Sequence, residues 1–168
     1  MNAIGSADEP TSILLGWKIG PSWLNIFGLI IVILIMLPNI IYAIKFHGID
    51  NKCKSNIMNI VEQIGRYSSM FFIIFNIGVV EYGFSSVEAF VIYFVGNSML
   101  LIVYWIIWIL YFIHKTLWKS MALAIIPTAI FLLSGIASRH YLLVISAIIF
   151  GIGHVYVTYQ NAKYDELN

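Results

Sequence analysis

The chain has 168 residues, 61% of them hydrophobic and 10% charged, with a mean hydropathy of +0.91. Soluble domains carry roughly 25% charged residues, so this composition cannot cover a water-facing surface and excludes an ordinary soluble protein. A net charge of +1 excludes an electrostatic nucleic-acid binder, and the single cysteine, Cys53, excludes an intrachain disulfide or a cysteine-built zinc site. What remains is an all-α, polytopic integral membrane protein, because lipid solvates an apolar exterior.

Residues 1–22 read as an extracytoplasmic N-terminal segment. Ile13, Leu14 and Trp17 share one face of a short turn, while Gly16, Gly20 and Pro21 argue against a long helix. An interfacial segment is expected, with Trp17 and Trp23 at headgroup depth. The first long apolar run follows Asp8 and Glu9 rather than a basic region, and it exceeds the length of a signal-peptide core. It reads as a retained helix.

A spanning helix needs roughly 20 apolar residues. Five segments qualify, at about residues 23–44, 57–80, 87–113, 119–137 and 141–159. Their joins are short, so sequential helices are expected to be antiparallel neighbours. The expectation is a compact bundle of five transmembrane helices over 23–160, followed by a short cytoplasmic tail, 161–168. Lys45, Lys52, Lys54, Lys115, Lys119 and Lys163 fall on one side, against Lys18 and Arg139 on the other. The Lys-rich side is expected in the cytoplasm, with the N-terminus outside and the C-terminus inside.

Pro38 and Pro127 fall inside helices one and four, where each removes a backbone donor. Ser134/Ser138 and Ala147/Gly151 have the small-xxx-small spacing of close helix contacts, expected between helices four and five.

The unusual feature is polar. Asn59, Glu62, Arg66, Ser69 and Asn76 share one face of helix two at about 100° per residue. Ionisable groups at membrane depth face a bundle interior, a partner or water. Helix three carries its own stripe of Ser86, Phe90, Tyr93, Asn97, Tyr104, Trp108 and Tyr111. The two stripes are expected to pack together, with Asn39 and His154 approaching from helices one and five. At ~1.5 Å per residue, Glu62 lies about 8 Å from the cytoplasmic start of its helix, and Asn39 and His154 fall at a similar level.

The candidate site residues are therefore Glu62, Arg66, Asn39, Asn97, Tyr104, Trp108 and His154. Glu62 and Arg66 stand four apart and can pair on one helix. The plain alternative is that this pair is packing glue, since polar contacts in membranes average about 0.6 kcal/mol. His47, His114 and His154 occupy the cytoplasmic half, but their spacing matches no metal motif. No metal site is expected, and no cofactor is identified. G-x-S-x-G, H-E-x-x-H, C-x-x-C and the phosphate-loop pattern are absent.

Three functions fit. The leading one is a small membrane protein that binds or translocates an amphipathic or anionic ligand in a polar pocket between helices two, three and five. Arg66 would meet the charge, Glu62 would hold Arg66 or carry a proton, and Tyr104 and Trp108 would line an apolar wall. The second is a membrane-embedded enzyme with Glu62 and His154 as acid and base, although no nucleophile is evident. The third is an accessory subunit of a larger membrane complex. Expected partners are membrane lipids, a small amphipathic ligand, and a second copy or another membrane protein.

Overall fold

A computed structural model describes residues 23–46, 51–77, 84 and 86–167, with side chains to residue 164. The expected interfacial turn around Trp17, His47, and the 78–80 end of the expected second helix lie outside the described residues. Among the described residues five helices follow in chain order: α1 (Ile26–Lys45), α2 (Asn56–Ile74), α3 (Val87–Ile113), α4 (Leu117–Ala137) and α5 (Tyr141–Leu167).

Local chemistry explains their starts. Asn25, Ser55 and Ser86 each cap a first turn with a side-chain oxygen, accepting from the N–H of Gly28, Met58 and Ala89. His140 does the same for α5, its Nδ1 accepting from the Leu143 N–H at 3.3 Å. The preceding helix closes through two bonds, His140 N–H to Gly135 O and Arg139 N–H to Ile136 O. This crossed pair is the Schellman arrangement, and it holds Arg139 at φ 51°, in the left-handed region.

α2 ends at Ile74, earlier than expected. The backbone there turns extended and pairs with the chain before α1. Asn25 N–H donates to Ile74 O at 2.7 Å, and Asn76 N–H donates to Trp23 O at 2.9 Å. Those bonds replace a further helical turn. α5 runs on through the expected tail, because Gln160, Asn161 and Lys163 include no helix breaker.

α1, α3, α4 and α5 are long and apolar enough to cross a membrane. α2 is not, because Asn59, Glu62, Gln63, Arg66, Ser68 and Ser69 dilute its apolar residues. Its exposure pattern is nonetheless inverted relative to a soluble helix. Glu62, Gly65, Ser69 and Ile73 are buried, whereas Ile57, Ile60, Ile64, Tyr67 and Phe71 face outward, with Asn56 and Gln63 the polar exceptions. The other helices also turn large apolar side chains outward, among them Ile33, Ile106, Ile125 and Ile152. Such a surface suits lipid and not water.

The helices form a closed ring in the order α3, α4, α5, α2, α1 and back to α3. The most extensive packing is α2 on α5, then α4 on α5 and α3 on α4, while α1 touches α2 and α3 more sparsely. This corrects the expected seam between helices two and three. Their stripes do not pack on one another: among the described residues α1 contacts both helices, whereas α2 and α3 share no comparable packing.

Glycines explain the tight α2–α5 pairing. A β-carbon on Gly65 would lie 2.5 Å from the Phe150 Cα, and one on Gly153 would lie 2.5 Å from the Glu62 nitrogen. Backbones this close admit only glycine at the crossing.

Candidate functional site

The expected constellation separates into three groups. The first is a buried triad between α2 and α5. Glu62 is 5% exposed, and its Oε1 pairs with Arg66 Nη2 one turn along α2. The same oxygen lies 2.8 Å from His154 Nδ1. A carboxylate that is ionised only accepts, and the contact is then made with the Nδ1–H tautomer of the ring. Gly153 presses on the Glu62 backbone, which brings the adjacent His154 to the carboxylate. Phe150 stacks on the His154 ring with centroids 4.7 Å apart, fixing its plane. The equal depth read for Glu62 and His154 is thus a direct contact.

The second group joins α1 to α3. Asn39 Nδ2 donates to the Tyr104 hydroxyl at 2.8 Å and to Ile35 O at 2.7 Å, and the Tyr104 hydroxyl donates to the same carbonyl at 3.3 Å. Pro38 lies one turn after Leu34 and leaves its carbonyl without a helical donor. Trp105 Nε1 donates to that carbonyl at 3.2 Å. The proline therefore creates an acceptor that α3 satisfies. Trp108 packs edge-on to Tyr104, with ring centroids 6.3 Å apart, and against Tyr42 at 5.4 Å.

The third group joins α3 to α4, where Asn97 Nδ2 donates to Ser134 Oγ at 3.0 Å. Asn97 belongs to this contact and not to the Glu62 triad. Helix periodicity places it on the correct face of α3, but a long helix shows different parts of one face to different neighbours. Tyr93 lies elsewhere again, with its hydroxyl 3.4 Å from Asn25 Nδ2.

The Arg66 side chain is 32% exposed, against 7% for Glu62. One guanidinium nitrogen binds Glu62, while the group as a whole carries five donors. Among the described residues, Trp108 Nε1, Asn97 Oδ1 and Ser69 Oγ, on different parts of the bundle, are buried without a hydrogen-bond partner. Asn39, expected to have spare capacity, is instead engaged through its amide nitrogen.

Several contributors carry little sequence signal. Lys119 counts as a loop charge by position, yet it is buried, and its Nζ donates to the carbonyls of His114 and Leu110 at 2.7 and 3.1 Å. It caps the C-terminus of α3, where a cation opposes the helix dipole. Ser134 reads as a packing residue by its spacing and is a polar partner in the fold. Gly65 has no motif around it. Its placement three residues after Glu62, on the same face, is the available signal. His140 is 2% exposed, and burial holds its imidazole below the ordinary histidine value. It caps α5 through Nδ1, at the end of the helix opposite the triad.

The arrangement can hold a negative charge, orient an imidazole, or pass a proton between Glu62 and His154. The chain matches no known family model, no curated protein and no solved structure.

Proposed function

We propose that the chain is a five-span integral membrane protein that binds or carries a small amphipathic anion beside Arg66, between α2 and the α1–α3 pair. The observation that carries this reading is the shared Glu62 oxygen. It holds Arg66 and His154 together and leaves the partly exposed guanidinium with unused donors. An anionic head group would take up those donors, and Tyr104, Trp108 and Tyr42 supply an aromatic wall for an apolar tail.

Oleate is a suitable probe, with oleyl alcohol as its uncharged control. The full chain in maltoside micelles is expected to bind oleate in preference to the alcohol. Arg66→Met is expected to weaken oleate binding about tenfold, the worth of one charge-assisted contact. Equal binding by the variant, or equal binding of acid and alcohol, would defeat this reading.

The inverted face of α2 supports counting it as the fifth span. The loop lysines support an outside N-terminus and a cytoplasmic C-terminus. Cys53 is only 6% exposed, so it is a poor topology reporter. Lys54→Cys and Ser138→Cys, each in a Cys53→Ser background, serve better. An impermeant thiol reagent on intact cells is expected to label position 138 and spare position 54. The opposite pattern would reverse the orientation.

The 2.8 Å Glu62–His154 contact favours a second reading, a membrane-embedded acid–base pair. It predicts that His154→Gln removes function while leaving oleate binding unchanged.

A further inference from the structure

α2 and α5 run antiparallel, since Glu62 meets Gly153 and Gly65 meets Phe150. The start of α2 therefore lies beside the last turns of α5. There the chain borders an open cavity of about 580 Å³. Lys52, Lys54 and Lys163 line it, together with Tyr156, Gln160 and Tyr164. Gathering three ammonium groups on one concave wall is unfavourable by like-charge repulsion. No carboxylate lines the cavity among the described residues.

The cavity wall is built and not a loose loop. Lys52 N–H donates to Asn161 Oδ1 on α5 at 2.8 Å. Cys53 N–H donates to Asn51 Oδ1 at 3.0 Å, and Asn51 Nδ2 donates to Asn59 Oδ1 at 2.9 Å. Asn59 Nδ2 closes the circuit on Cys53 O at 3.3 Å. The Lys52 ammonium is held 5.5 Å from the centre of the Tyr164 ring, and that of Lys163 is 5.9 Å from the centre of Tyr159. These contacts position the cations while leaving their N–H groups able to donate. Gln160 and Tyr156 add neutral donors.

We propose that this cavity is a binding site for a phosphate group, carried by an anionic phospholipid or by a soluble compound. A tetrahedral oxyanion accepts from several directions at once, which suits a cavity lined by three lysines on two chain segments. Basic pockets between membrane helices hold phospholipid headgroups by the same electrostatics. The site is separate from the Arg66 triad, because Gln160 and Lys163 lie roughly 9–14 Å beyond His154 along α5. It does not depend on the function proposed for that triad.

The test uses the full chain in maltoside micelles, which contain no phosphate. Thermal unfolding is followed with inorganic phosphate and, separately, with added phosphatidylglycerol. Sodium chloride of matched ionic strength and phosphatidylcholine are the controls. A saturable rise in unfolding temperature of several degrees is expected, lost in Lys52→Gln/Lys54→Gln/Lys163→Gln. If that variant does not fold, Lys54→Gln, on the exposed part of the loop, is expected to shift the titration midpoint to higher ligand concentration. Stabilisation by phosphatidylglycerol alone assigns the site to a lipid headgroup. Stabilisation by phosphate, with or without the lipid, assigns it to the phosphate group itself. No rise beyond the controls, or a rise retained in full by the lysine variants, overturns the proposal.

Discussion

Glu62→Gln is expected to lower the unfolding free energy by about 3 kcal/mol, the cost of leaving a buried ion pair with one partner. The value sits at the lower end of that range because Arg66 is 32% exposed and can turn toward a wetter level. Arg66→Met is expected to cost less than Glu62→Gln, since His154 remains on the carboxylate. The double variant Glu62→Gln/Arg66→Met is expected to lose at least about 1 kcal/mol less than the sum of the single losses. A thermal or denaturant unfolding cycle in micelles measures this coupling. Strictly additive losses would show that the pair contributes nothing to stability as a pair.

Gly65→Ala and Gly153→Ala are each expected to destabilise the fold by about 3 kcal/mol, the upper part of the overpacking range. In both, the added methyl meets backbone atoms, of Phe150 in one case and of Glu62 in the other. Backbone cannot rotate away, so α2 and α5 must separate. That separation also pulls His154 from Glu62, which couples the steric change to the polar site. Gly96→Ala is the internal control. Its added methyl meets the end of the flexible Leu133 side chain, so the loss is expected to stay below about 1 kcal/mol. Equal losses at positions 65, 153 and 96 would show that helix approach does not limit stability here.

Much of the triad is legible in the amino-acid order. Helical spacing places Glu62, Arg66 and Ser69 on one face of α2, and the four-residue interval predicts the Glu62–Arg66 pair. Depth along a helix predicts that His154 and Glu62 share a level. The neighbour on which that face packs is a different matter. Shortness of connections points to helix three, whereas the ring order places α5 there. The polar residues of helix three are legible as a face, yet Asn97, Tyr104 and Tyr93 bind three different partners on α4, α1 and the turn before α1.

Composition and the 3.6-residue period are local properties of the chain, and they point to an apolar helical bundle and to the polar faces of its helices. Tertiary packing alone settles that α2 lies on α5, that Trp105 takes the carbonyl freed by Pro38, and that Lys119 caps α3. Each of these joins residues distant in the chain or depends on the path of a connection. In lipid, apolar surface does not favour one helix neighbour over another. The choice falls instead to where two glycines let backbones touch and where buried polar groups find partners.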